Sequence, residues 1–311
     1  MDAKPDKNLG QHWLKDAAVL EGIAAHANLT ASDTVLEIGA GLGTLTAVLA
    51  AQAGRVVAVE FDVDLAEKLK TSLRAQRSNP ANQSQSGSPR QMDLPRDDRI
   101  EIINADFLKF DLSSLPVGYK VVANIPYYIT NKIIMKLLTA ENKPSVAVLL
   151  VQKEVAERLA AEPGAMSVLS VAAQLYSEVC LGEIVPAKMF TPPPKVDSQV
   201  VILRPNKQPS LRAREPKPRT RSGGSNPALD RHGDKSPRDD VRERIFFRVV
   251  RAGFSERRKK LRSSLSGGLG ISKTEAEKLL KRANIDPNLR AQDLSLENWQ
   301  TLAETFKSTQ R

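Results

Sequence analysis

The residues best equipped for chemistry fall in four short stretches. Asn124-Ile125-Pro126-Tyr127-Tyr128 closes an apolar run with a side-chain amide, a proline and two aromatic rings. Such a loop can hold a planar heterocycle that bears an exocyclic amine. The amide oxygen and the carbonyl of Pro126, which has no N–H of its own, accept from the amine, and Tyr127 stacks on the ring. Glu37-Ile38-Gly39-Ala40-Gly41-Leu42-Gly43 is a glycine turn of the kind that lets a ligand approach the backbone closely. Glu60 follows at roughly the twenty-residue spacing at which an acid takes ribose hydroxyls. Asp106 is placed to accept from an adenine amine, or alternatively to cap a helix. Together these residues describe a nucleoside-containing ligand. No Lys-Ser/Thr phosphate trap accompanies the glycines, which fits S-adenosylmethionine, a molecule without phosphate. A nicotinamide dinucleotide is the weaker reading, because it leaves Asn124 to Tyr127 unexplained.

Strands and helices have to bring these stretches to one edge. Thr34 to Ile38, Arg55 to Glu60, Arg99 to Asn104, Tyr119 to Ala123 and Val146 to Val151 read as strands. Helical spacing follows Val19, Leu20, Ile23 and Ala27, then Leu45 to Leu49, about Asp62 to Leu73, Asn131 to Leu138, Lys153 to Ala161 and Ser167 to Tyr176. This alternation predicts a doubly wound parallel α/β sheet, whose ligands bind beyond the carboxyl ends of the strands. Glu178 to Val185 and Ser198 to Leu203 read as a final pair, and their short connection makes them antiparallel. Residues 74–98 and 206–240 lack aromatic residues and are rich in Ser, Pro, Asn and Arg. The first reads as a disordered insertion and the second as a flexible basic linker. The expected division is a catalytic domain over 1–205, the linker over 206–240 and a helical domain over 241–311.

Charge is segregated along the chain. The net charge of the 311 residues is +10. Residues 1–205 hold 21 basic and 23 acidic side chains, whereas residues 241–311 hold 16 and 8. A near-neutral front and a basic back predict catalysis in the first part and contact with a polyanion in the second. A single cysteine, Cys180, excludes an internal disulfide and fits a reducing cytoplasm. Three scattered histidines make a zinc site improbable. No apolar run is long enough to span a bilayer, and the polar opening Met1 to Asn8 does not read as a signal peptide.

In order along the chain, the motifs resemble the rRNA adenine-N6 dimethyltransferase family. The resemblance rests on Gly10-Gln11-His12-Trp13-Leu14, Glu37 to Gly43, Glu60, Asp106, Asn124 to Tyr127, Val151 to Leu159, Phe190 to Ser198 and Phe254 to Arg262. It covers residues 8–204 and about 241–306. Each motif is weak alone, and their order on the expected elements is specific. Pro192-Pro193-Pro194-Lys195-Val196-Asp197-Ser198 and Arg257-Arg258-Lys259-Lys260 are most similar to the KsgA-type branch, which acts on small-subunit (16S) rRNA.

The resemblance implies a Rossmann-like class I methyltransferase sheet, mostly parallel with its last strand antiparallel, and a small all-helical C-terminal domain. It implies S-adenosylmethionine as methyl donor, without a metal, bound by His12, Leu14, Glu37, Gly39, Gly41, Gly43, Glu60, Asp106 and Asn124. Asn124, Pro126 and Tyr127 would hold the target adenine, with Phe190 stacking on its other face. Arg257, Arg258, Lys259, Lys260 and Arg262 would grip rRNA phosphates. The implied reaction is dimethylation of two adjacent adenines in the 3′-terminal hairpin loop, with small-subunit rRNA or an immature 30S particle as the substrate; a cytoplasmic monomer is the default expectation. A macrolide-resistance-type enzyme of large-subunit rRNA and a non-catalytic assembly factor are the alternatives. The chain departs from the family at His12-Trp13, where Asn-Phe is usual. Histidine can keep the cofactor contact, or it can lie as a partly exposed polar residue.

Overall fold

Four long apolar runs build the centre of the first unit. Val35, Leu36, Val56 to Val59, Val121 to Ala123 and Ala147 to Val151 are all essentially inaccessible to solvent. Strands buried on both faces need such near-continuous apolar sequence, and parallel sheets covered by helices provide that burial. The computed structural model describes residues 11–78, 99–206, 237–256 and 258–310. Contacts divide the chain into two units, Met1–Ala160 with Ser177–Pro205, and Ala161–Tyr176 with Asn206–Arg311.

The first unit starts with β1 (Trp13–Leu14), α1 (Ala17–Ala25), β2 (Thr34–Ile38), α2 (Thr44–Gln52), β3 (Arg55–Glu60) and α3 (Val63–Ser78). It continues with β4 (Ile100–Asn104), β5 (Lys120–Asn124), α4 (Thr130–Thr139), β6 (Val146–Gln152) and α5 (Lys153–Leu159). After α6 (Val168–Tyr176), which belongs to the second unit, come β7 (Ser177–Val185), β8 (Phe190–Thr191) and β9 (Ser198–Pro205). The main sheet has the order β4-β3-β2-β5-β6-β9-β7. The strands β4, β3, β2, β5 and β6 run parallel. The strand β9 lies antiparallel to both β6 and β7, as the short connection before it requires. The expected Rossmann-like order is therefore present, and β2 and β5 lie side by side at its centre although β3 and β4 separate them in the chain. That is the switch point at which such sheets bind ligands.

A second, two-stranded sheet was not anticipated. β1 pairs antiparallel with β8, matching Trp13 to Thr191 and Leu14 to Phe190. Strands of two residues have no periodicity to read in a sequence. Two boundaries also move. α3 runs through Ser78, so residues 74–78 are helical, and α7 starts at Pro237 rather than at Val241. The remainder of the two low-complexity segments, 79–98 and 207–236, lies outside the described residues.

The second unit holds α6, α7 (Pro237–Phe254), α8 (Leu261–Leu269), α9 (Lys273–Arg282) and α10 (Leu296–Thr309). Phe246, Val249 and Val250 line the buried face of α7, and Trp299 of α10 stacks on Phe254 with centroids 5.4 Å apart. The division expected at residue 205 is crossed by α6. The Tyr176 ring stacks on Phe247 at 6.0 Å, and its hydroxyl donates to the Glu243 carboxylate. Burial, reinforced by that carboxylate, pushes the phenol well above its ordinary pKa, so it remains a donor. Tyr176→Phe is expected to destabilise the second unit by about 1.5–3 kcal/mol, since it removes a hydrogen bond to a charged acceptor. A urea unfolding curve identical to wild type would remove this bond from the account.

Candidate active site

The ends of four adjacent parallel strands meet one cavity of about 230 Å³. From β2 comes the turn with Gly39 and Gly41, from β3 Glu60 and Phe61, from β4 Asp106 to Leu108, and from β5 Asn124 to Ile129. The N-terminal residues Gln11, His12 and Trp13 supply another wall. Gly39 and Gly41 have φ of +76° and +57°, a conformation that side chains oppose. A Cβ on Gly41 would also stand 3.6 Å from Trp13, and one on Gly39 would stand 3.7 Å from Pro126. The bare turn thus lets the backbone itself form a cavity wall.

Two carboxylates face this cavity, and no lysine or arginine is among the described residues that line it. Glu60 is fixed by the backbone, accepting from the Gly41 N–H at 2.7 Å and the Asp62 N–H at 2.9 Å. Burial raises its pKa, while those N–H groups pull it back down. Asn104 donates to the carbonyls of Glu60 and Phe61 at 3.0 and 3.1 Å, which sets where β3 ends. Asp106 caps a single 3₁₀ turn, its Oδ1 accepting from the Leu108 N–H at 2.9 Å. The two expectations for Asp106 are therefore compatible, because one oxygen caps and the other remains.

The amide of Asn124 has a determined orientation. Its Nδ2 donates to the His12 carbonyl at 3.3 Å, and a carbonyl can only accept, so Oδ1 is the atom left to accept. Pro126 is already engaged. Its carbonyl accepts from the Ile129 N–H at 3.3 Å and from the Thr130 hydroxyl at 3.2 Å. The Tyr127 hydroxyl shares a hydrogen bond with Ser198 Oγ at 2.7 Å, and burial raises the phenol pKa, so the ring is neutral. The His12 ring lies against it with centroids 5.6 Å apart and planes 25° from parallel. His12 Nδ1 is 2.8 Å from the Pro192 carbonyl and therefore carries the proton in that bond.

A family model described as ribosomal RNA adenine dimethylase matches residues 3–217. A ribosomal RNA small subunit methyltransferase A from Dehalococcoides mccartyi is 37% identical over 303 residues, covering 96% of this chain and 88% of the relative. The chain belongs to the ribosomal RNA adenine dimethylase family. The enzyme of the same description from Clostridioides difficile is 36% identical over 316 residues, 98% of this chain and 92% of that one. Among solved structures, a dimethyladenosine transferase from Plasmodium falciparum shares the fold with a TM-score of 0.69 at 23% identity, covering 96% of this chain and 98% of that one. The 23S rRNA methyltransferase ErmE aligns with a TM-score of 0.64 at 25% identity, over 95% and 99%.

As a member of this family, the chain is an rRNA methyltransferase that uses S-adenosylmethionine. The cavity fits that donor. Two carboxylates without a lining cation suit a ligand that carries a positive sulfur and no phosphate. Among the described residues no group of His, Cys, Asp and Glu could hold a metal ion.

The dimethylase cavity does not collect every residue expected in it. Gly39, Gly41, Glu60, Asp106, His12, Asn124, Pro126 and Tyr127 line it, whereas Leu14, Glu37, Gly43 and Phe190 do not. Gly43 is the N-cap of α2, with φ of +79°. Leu14 and Phe190 face each other across β1 and β8 and lie in the hydrophobic core of this unit, outside the cavity lining. Glu37 points into the protein and accepts from the Thr46 hydroxyl at 2.6 Å. Burial, with Glu60 adding repulsion, pushes its carboxyl up to about 8. Of the expected RNA-binding residues, Arg258, Lys259 and Lys260 are exposed, and Arg262 lies 3.8 Å from Glu277. Arg257 lies outside the described residues. Residues not foreseen in the cavity include Gln11, Phe61, Phe107 and Tyr128, the last 59% exposed at its rim.

Two outcomes test these placements. Phe190→Ala should cost about 3–5 kcal/mol, whereas Phe190→Leu should fold and transfer methyl groups within a few-fold of wild type. Loss of transfer in a well-folded leucine variant would return the ring to the cavity. Glu37 holds its proton in the folded state up to about pH 8 but releases it near 4.5 when unfolded. The folded state then binds more protons between these values, so stability falls as pH rises through that window. Glu37→Gln removes this contribution, and its stability relative to wild type should improve steadily from about pH 5 to 8 in thermal melts. A constant difference would show that Glu37 does not titrate there.

Proposed function

We propose that this enzyme dimethylates N6 of two adjacent adenines in the 3′-terminal hairpin loop of small-subunit rRNA. It would act as a monomer on an immature particle in the cytoplasm. The observation that carries the reading is the oriented amide of Asn124, set at the switch point beside two carboxylates. Small-subunit methyltransferases at 36–37% identity over nearly the whole chain support the choice of RNA. ErmE, at 25%, supports large-subunit rRNA as a second reading. Among the described residues no helix is long and apolar enough to cross a membrane.

The exocyclic amine of adenine is a weak nucleophile because its lone pair is delocalised into the ring. Two acceptors on its N–H groups favour a pyramidal nitrogen with a localised pair. Asn124 Oδ1 is one. The Pro126 carbonyl was expected to be the other, but it closes its own turn. The carbonyl of Ile125, which accepts no hydrogen bond among the described residues, takes that role. Tyr127 stacks on the extruded base. Bound in the cavity, S-adenosylmethionine supplies a methyl group on positively charged sulfur. Glu60 accepts from its ribose and Asp106 from its adenine amine, which leaves positioning as the main source of rate. Arg258, Lys259, Lys260 and Arg262, with Arg257, grip phosphates and set the register of the RNA.

Labelled S-adenosylmethionine, incubated with immature small subunits or with large-subunit rRNA, tests the proposal. Label is expected in the small-subunit rRNA. Label confined to the large-subunit RNA would overturn that substrate, and binding to small subunits without transfer would favour an assembly factor. Asn124→Ala should lower transfer roughly a hundredfold or more while cofactor affinity stays within a few-fold.

A further inference from the structure

The turn that carries Asp106 is short. Asp106 caps a three-residue 3₁₀ segment, Phe107–Lys109, and one such turn has little stability of its own. Yet Asp106, Phe107 and Leu108 form the cavity wall at the end of β4. What fixes this turn comes from elsewhere in the chain. Lys136, on α4, reaches it with Nζ 2.8 Å from the Phe107 carbonyl, 2.9 Å from that of Leu108 and 2.5 Å from that of Phe110. An ammonium has three protons, and these three carbonyls engage all of them. The Phe107 ring also lies under Nζ, its centroid 5.1 Å away.

The choice of partners matters. Asp106 and Asp111 are near enough to act on Lys136 electrostatically, yet its hydrogen bonds go to neutral carbonyls. Asp106 therefore keeps one carboxylate oxygen for a ligand while its turn is clamped from behind. The same helix begins at Thr130, directly after the loop that holds Asn124 to Ile129. One helix thus supports both the loop beyond β5 and the turn beyond β4.

We infer that Lys136 is a positioning residue for the methyl donor, holding the Asp106–Phe110 turn so that Asp106 and Phe107 meet the donor's adenine. The inference rests on the cofactor reading of Asp106 given above. Lys136 does not touch the donor, and its effect runs through the turn. Removing the ammonium takes the donor from the Leu108 and Phe110 carbonyls, leaves the Phe107 carbonyl with the Phe110 N–H alone, and lets the turn relax away from the cavity. The consequence is a loss of donor affinity, while the Asn124 loop and the transfer step at saturating donor are retained.

Calorimetric titration of S-adenosylmethionine and steady-state kinetics test it on four variants. Lys136→Met keeps the aliphatic stem and removes the donors, and Lys136→Gln keeps two of the three N–H donors on a shorter, neutral side chain. Lys132→Met alters an exposed lysine of the same helix. Asp106→Asn tests the underlying reading. Lys136→Met should raise Kd and KM for the donor roughly tenfold or more, with kcat and the KM for RNA within about threefold. Lys136→Gln should fall between it and wild type, and it carries the test if the methionine variant does not fold. Lys132→Met should match wild type. A lower melting temperature with unchanged donor affinity in the Lys136 variants would overturn the inference, provided that Asp106→Asn weakens binding. Unchanged affinity in Asp106→Asn would instead overturn the cofactor reading of Asp106.

Discussion

β2 and β5 are neighbours in the sheet, yet the chain leaves them in opposite directions, and the cavity lies where those paths part. From β2 the chain moves toward β3 and β4, and from β5 it moves toward β6. No connection crosses the gap, so the carboxyl edge there stays open. This constraint decides which sequence stretches can meet. The glycine turn leaves β2, the amine-holding loop leaves β5, and the two acids stand at the ends of β3 and β4. Burial of the strands on both faces holds the arrangement, with Val35, Val57, Val122 and Val148 all closed off from solvent.

Charge within the cavity follows a consistent logic. A cationic donor is best received by carboxylates that nothing else neutralises. Glu60 is held by backbone N–H groups and Asp106 by a capping N–H, and neither is paired with a lysine or arginine side chain among the described residues that line the cavity. The nearby cation, Lys136, is turned toward carbonyls. Each acid is thus ordered by neutral groups, which fixes its position without forming an ion pair that a ligand would have to break.

Much of this was legible in the sequence because it depends on runs and spacing. The apolar strands ended where Glu60, Asp106 and Asn124 stand, and that alone placed them on one edge. The residues that went astray depend on side-chain direction instead. Glu37 sits within β2 rather than beyond it, so its side chain meets a face of the sheet and Thr46 of α2, not the ligand edge. Phe190, just before three prolines, pairs with β1 over two residues, and that pairing turns the ring into the core. Lys136 gave no signal either, since a lysine on a helix has no sequence mark that separates a solvated ammonium from one capping a distant turn. The grouping of α6 with the second unit depends on Tyr176 and its partners far along the chain, which local periodicity does not report.

The departure at His12-Trp13 can be judged by which atoms do the holding. The bond that orients Asn124 comes from the His12 main-chain carbonyl, which any residue at this position provides. The side chain adds a separate anchor, the Nδ1 bond to the Pro192 carbonyl, and lays its ring on Tyr127. Replacing the family's usual asparagine therefore leaves the amide of Asn124 in place. Tryptophan is a different case. Its ring packs where Gly41 leaves room, as an apolar wall must, but its Nε1 is buried without a hydrogen-bond partner among the described residues. The histidine is thus accommodated through the backbone, whereas the tryptophan keeps an apolar wall beside the glycine turn.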